Sequence, residues 1–268
     1  MKVIEYQINP KLYRDLYSEG FFFKPPHKDK KHLGELYFIG EIYNFSKKDK
    51  EILQELAQIA KHEFYRQAKL SPEDAFKQTI RILNRKLKSL VSKGEIKWLG
   101  NYNLALLNVN NFSLIFSKSG TIKILLLRNN EVIDLGENLE SQTLTTGALD
   151  KFFPNFVAGK IFFNDKIFVL TQLLFEKFSQ DILEEILSLE KFNLREIKKV
   201  LRGYRKELRD VQGIFCLIIP EPVKSSRLLF LQWGYRISRL ICLHKKLFLL
   251  LGLAFILGVS YLIFKWGQ

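Results

Sequence analysis

Asn103–Leu135, NLALLNVNNFSLIFSKSGTIKILLLRNNEVIDL, reads as four short apolar strands separated by turns. Strand character runs over Asn103–Val109, Phe112–Ser117, Thr121–Leu127 and Glu131–Leu135. Asn110-Asn111, Ser119-Gly120 and Asn129-Asn130 fall between them, residues that supply the backbone conformations tight hairpins require. Connections this short return each strand beside its predecessor, so the stretch is expected to form an antiparallel meander.

Working outward, Glu35–Ile42 (ELYFIGEI) is a strongly apolar strand, and two helices follow it. Over Asp49–Gln67, Leu53, Leu56, Ala60 and Phe64 share one face. Ser71-Pro72-Glu73-Asp74 opens the second helix, with serine at the N-cap and proline in the first turn. Phe76, Ile80, Leu83, Leu87 and Leu90 then recur at the spacing of one helical stripe, and Gly94-Glu95 ends it. Beyond the meander, 136–158 reads as a surface loop, Lys160–Leu170 as a strand, 173–189 and 193–207 as helices, and Gly213–Ile219 as a last strand. Antiparallel strands with two helices early and two late imply an α+β fold: a four-layer α-β-β-α sandwich of two antiparallel sheets flanked by helices.

Leu247–Phe264 is an 18-residue run without a charge. As a helix it spans about 27 Å, close to the hydrocarbon thickness of a bilayer, so a single C-terminal transmembrane helix is expected. Basic residues gather on its N-terminal side and only Lys265 follows it, which orients the bulk of the chain to the cytoplasm, at the cell membrane. The segment MKVIEYQINPKLYRD lacks the features of a secretory signal. The arrangement expected is therefore 1–220 as a cytoplasmic domain, 221–246 as a basic linker and juxtamembrane helix, and 247–264 as a tail anchor. Arg227–Leu243 has the residues of an interfacial amphipathic helix, with Gln232, Arg236 and Arg239 along one face.

The formal net charge is +14, and seven of the 42 basic residues lie in the acid-free stretch from Pro222 onward. Half the excess thus sits beside the expected span, where anionic lipid attracts it, and nucleic acid is not the expected partner. Two cysteines, Cys216 and Cys242, make no disulfide framework. His27, His32, His62 and His244 show no metal-ligand spacing with them.

The order of the pieces over residues 30–220 resembles the PPM family of metal-dependent serine/threonine phosphatases, also called the protein phosphatase 2C family. In that family an apolar strand ends in Asp-Gly, a Gly-Asp-Ser triplet sits on a hairpin, and a Gly-Asp turn leads into a strand ending Ser-Asp-Gly. An acid also opens the final strand. Here Glu41-Ile42 stands at the first place, Gly100-Asn101-Tyr102-Asn103 at the following strand, and Ser119-Gly120-Thr121 at the triplet. Asn164-Asp165 begins a matching strand that ends Thr171-Gln172-Leu173. Asp210 precedes the last strand and is the best-kept acid.

The resemblance implies two Mn or Mg ions held by carboxylates, of which Glu41 and Asp210 are the vestigial candidates. Hard divalent cations need several anionic oxygens, and one or two carboxylates do not hold a pair of them. The expectation is a catalytically silent, membrane-anchored phosphatase-like module without a cofactor, which binds a partner protein at the cytoplasmic face. The alternatives are an active, divergent Mn- or Mg-dependent protein phosphatase, and a basic membrane-surface anchor for nucleic acid or lipid.

Overall fold

The computed structural model describes residues 1–66, 69–95, 99–129, 131–139, 152–178, 180–189 and 192–220. The candidate span, the candidate interfacial helix, Cys242 and residues 221–226 of the linker lie outside them. Among the described residues no helix is long and apolar enough to cross a membrane.

The described residues form ten strands and five α-helices. In chain order they are β1 Lys2–Ile8, β2 Leu16–Phe23, β3 Glu35–Tyr43, α1 Lys47–Arg66, α2 Pro72–Ser92, β4 Tyr102–Asn110, β5 Ser113–Ser119 and β6 Lys123–Arg128. Then come β7 Glu131–Asp134, β8 Val157–Lys160, β9 Lys166–Leu170, α3 Gln172–Lys177, α4 Gln180–Leu187, α5 Leu194–Gly203 and β10 Gly213–Ile219. One sheet runs β1-β10-β9-β6-β7 and the other β2-β3-β4-β5-β8. Every pairing is antiparallel.

Three cores divide four layers. Phe38, Leu104 and Leu106 of the second sheet pack with Leu53, Leu56, Phe76 and Leu83 of α1 and α2. Tyr37, Ile39, Ala105 and Phe116 meet Ile124, Val169 and Ile214 between the sheets. Phe168, Phe215 and Leu217 pack with Leu174, Ile182 and Ile197 of α3, α4 and α5. Because β3 and β4 are covered on both faces, they read as nearly continuous apolar runs. α1 crosses β3 closely at Gly40, where a Cβ would strike Leu53.

Local chemistry explains the boundaries. The Ser71 side chain accepts from Asp74 N at 3.1 Å and Pro72 begins α2. Asn111 (φ 50°), Gly120 (φ 78°) and Asn129 (φ 54°) occupy the left-handed region at the meander's turns.

The structure adds or redraws four elements. β1 and β2 precede the strand at Glu35, where the sequence offers only short alternations. Lys160–Leu170 is not one strand: Lys160 ends β8 of one sheet, Lys166–Leu170 is β9 of the other, and a turn at Phe162–Asp165 lies between them. Asp165 closes that turn: its carboxylate accepts from Phe162 N at 2.6 Å and from Arg128 Nε and Nη2 at 3.0 and 2.7 Å. The helical stretch 173–189 divides into α3 and α4, with the backbone N–H of Phe178 closing the first on Leu174 O.

Candidate functional site

The register of β2, β3 and β4 places Ser18, Glu41 and Asn103 side by side across three strands. Glu41 alternates with Tyr37 and Ile39, so its side chain faces the other sheet, at one end of the sandwich. It has no solvent exposure. Asn103 Nδ2 donates to Glu41 Oε2 at 3.3 Å, and Ser18 Oγ donates to Oε1 at 3.5 Å. Thr171, also fully buried, reaches the same carboxyl from the far sheet, and Tyr43 does so from two residues along β3.

These partners are themselves held. Asn103 Oδ1 accepts from Thr121 N at 3.1 Å. Gly120 must lack a side chain, since a Cβ there would collide with Asn103 Oδ1. Thr171 Oγ1 accepts from Ile214 N at 3.2 Å, and Thr171 N donates to Ile214 O at 3.2 Å, extending the β9–β10 ladder by one residue.

Burial pushes the Glu41 carboxyl above the usual carboxylate range, against the opposing pull of hydrogen bonds from Tyr43, Asn103, Thr171 and Ser18. Tyr43 is raised by burial and then by the neighbouring charge of Glu41. The site is therefore one buried carboxyl group among hydroxyls and an amide. Such a set can hold a proton or a hydrogen-bond network.

Asp210 sits in different surroundings. It is exposed, in the turn between α5 and β10, and its backbone carbonyl accepts from Tyr13 Oη at 2.8 Å. Its carboxylate is not among the groups acting on Glu41. Gln172 opens α3 and donates from Nε2 to Glu176 at 2.7 Å. Gln212, 2 % exposed, joins the two sheets nearby: it accepts from Tyr13 N at 2.6 Å and donates to Leu16 O at 2.7 Å. Among the described residues, no group of three or more His, Cys, Asp or Glu side chains is placed to hold a metal ion.

Beside this end of the sandwich lies a recess of about 250 Å³, bordered by Ile42, Tyr43, Asn44, Ser46, Asp49 and Tyr102. Asp49 caps α1 there, accepting from Ser46 N and Oγ at 2.8 and 2.6 Å and from Tyr102 Oη. Ser18 and Tyr43 are site residues that sequence reasoning misses, and it places Thr171 only within the strand end Thr171-Gln172-Leu173, with no site role. Nothing local marks them; register and the meeting of the two sheets bring them to Glu41.

No family model matches the chain, and no curated protein matches it. Solved structures do. A bacterial serine phosphatase superposes with a TM-score of 0.58 at 10% identity, covering 84% of this chain and 100% of that one. The serine/threonine phosphatase Stp1 from Staphylococcus aureus gives 0.58 at 9% identity, covering 82% and 95%. PppA, a regulatory component of type VI secretion in Pseudomonas aeruginosa, gives 0.52 at 9% identity, covering 79% and 98%. At such identities the likeness is one of fold: the chain has the architecture of the protein phosphatase 2C-like serine/threonine phosphatases.

Proposed function

We propose that this phosphatase-like module is catalytically silent, held at the cytoplasmic face of a membrane by a single span, and that it binds a partner protein there. The observation that carries the silence is the company Glu41 keeps. The fold family implies a pair of Mn or Mg ions, and the residues present do not fit them. Two divalent ions need bridging carboxylates to offset their mutual repulsion. Glu41 is surrounded by Ser18, Tyr43, Asn103 and Thr171, all neutral. Two of those side-chain oxygens already accept from backbone N–H groups, at Thr121 and Ile214. Asp210 lies exposed in a turn. Without the ions there is no activated water, and the scaffold keeps its surfaces for binding.

The tether is supported by the charge-free run Leu247–Phe264 and by the basic residues preceding it. The full chain in detergent micelles, assayed on p-nitrophenyl phosphate with manganese, is expected to release no phosphate above the protein-free rate. Titration calorimetry is expected to find no tight manganese site. Turnover that disappears in Glu41→Gln overturns the proposed silence. Release of the full chain from membranes by alkaline carbonate overturns the tether.

A further inference from the structure

The structure's most distinctive surface lies away from Glu41, on α2. From Ala75 to Ser92 this helix contains no acid, while Lys77, Arg81, Arg85 and Lys88 recur at intervals of four, four and three. All four are exposed along one face. They flank a groove of about 700 Å³ whose other wall is the segment Phe153–Phe156. The helix dipole does not account for them: cations are favoured in the last turn, and α2 has none there. Among the described residues no ion pair engages Lys77, Arg81 or Arg85.

The groove is built in advance. Asn84 grips the backbone of Phe153 from both sides, donating to its carbonyl at 2.9 Å and accepting from its N–H at 2.8 Å. Ser117 Oγ holds Asn155 O at 2.6 Å. Phe156 packs edge-on against Phe76, with ring centroids 6.0 Å apart. The floor is apolar, made by Ile80 and Phe153, and among the described residues no Asp or Glu lines it.

We infer that this groove binds an extended acidic peptide of a partner protein, with apolar side chains on the floor and carboxylates or phosphates along the cationic row. Lys77 to Arg85 spans about 12 Å of helix, the length of about four residues of extended chain. Cations above a buried apolar floor suit a chain that alternates acidic and apolar residues, because successive side chains of a strand point to opposite sides. A bilayer surface satisfies only half of this arrangement, since headgroups meet the protruding cations but do not enter a recess floored by Ile80 and Phe153. The inference rests on the partner-binding part of the proposed function and is independent of the chemistry at Glu41.

The test uses the full chain in detergent micelles and a fluorescein-labelled peptide alternating glutamate with phenylalanine, followed by fluorescence anisotropy. Arg81→Glu combined with Arg85→Glu is expected to weaken binding by about tenfold or more, since two favourable charge contacts become repulsive. A peptide with serine in place of phenylalanine is expected to bind severalfold more weakly. Arg202→Glu with Arg205→Glu, at the end of α5, is expected to bind as the unaltered chain does. Four results overturn the inference: no binding by the unaltered chain, no loss in the α2 variant, equal loss in the α5 variant, or equal affinity for the serine peptide. Loss of binding to vesicles of phosphatidylserine and phosphatidylcholine in the α2 variant, with peptide binding unchanged, assigns the groove to lipid instead. Any of these leaves the manganese assay to decide the catalytic question separately.

Discussion

Replacing Glu41 by glutamine and by leucine separates a hydrogen-bonding role from an ion-holding one. In the native protein the carboxyl is fully buried, and burial raises its pKa above the ordinary value. The folded state therefore binds a proton that the unfolded state has already released. Stability falls as pH rises above the unfolded carboxyl value, and the decline ends once the folded group has ionised. Glutamine keeps an oxygen for Asn103 Nδ2 and offers its own N–H groups to the Ser18 hydroxyl, and it does not titrate. Glu41→Gln is expected to match or exceed the native stability at pH 8 and to lose the part of the pH dependence due to residue 41. Leucine removes the acceptor altogether. Tyr43 is partly exposed, so the donors stranded inside are Asn103 Nδ2 and the hydroxyl proton of Thr171, whose Oγ1 still accepts from Ile214 N. Each buried donor left unsatisfied costs about 1–3 kcal/mol, so Glu41→Leu should fall below Glu41→Gln by at least that amount. Urea denaturation at pH 5 and pH 8 measures all three. If Glu41→Gln is markedly less stable than the native chain at pH 8, the negative charge is needed, and the account of Glu41 as a member of a neutral network is refuted.

Gly120→Ala puts a Cβ into Asn103 Oδ1 at a residue whose φ is 78°, so both sterics and backbone oppose it. A loss of at least about 1–2 kcal/mol is expected in the same urea titration, and a neutral outcome refutes the placement of the β5–β6 turn against Asn103. Glu5 is raised from 4.5 to about 7, first by burial and then by the charge of Glu19. Its contribution is fully present below pH 4.5 and declines until about pH 7, so Glu5→Gln is expected to flatten the stability profile across that window. An unchanged profile, after allowance for Glu41, contradicts it.

The parts of this fold legible in the sequence are those whose signal is local. Phe76, Ile80, Leu83, Leu87 and Leu90 all lie buried on α2, as their spacing requires. The meander is legible because Asn111, Gly120 and Asn129 carry turn chemistry that little else explains. β2 escapes for the opposite reason: after Leu16 each residue of LYSEGFFF is only partly buried, and as an edge strand it alternates weakly. Lys160–Leu170 reads as one strand because apolar residues flank the short polar stretch Asn164-Asp165-Lys166 on both sides. The pairing of Asp165 with Arg128, distant in sequence, is what turns the chain there. Asp210 stands out by its place before β10, yet that place is an exposed turn. Glu41 is visible as a single letter, while Ser18, Asn103 and Thr171 come from three other segments.

That dispersal bears on how the site could change in either direction. A carboxylate buried between two sheets must be neutralised by cations, by protonation or by convergent donors. At Glu41 the donors come from β2, β3, β4 and the end of β9, so each is fixed by strand register and not by a mobile loop. Asn103 and Thr171 are committed on their other atoms to Thr121 N and Ile214 N. Turning either oxygen toward a cation would strand one of those backbone donors, at about 1–3 kcal/mol for each that stays buried. An acid substituted at Asn103 alone would leave two carboxylates facing one another in the interior, raising both pKa values before any ion arrived. Several simultaneous substitutions around Glu41 would therefore be needed before divalent ions were held more favourably than the network that is there.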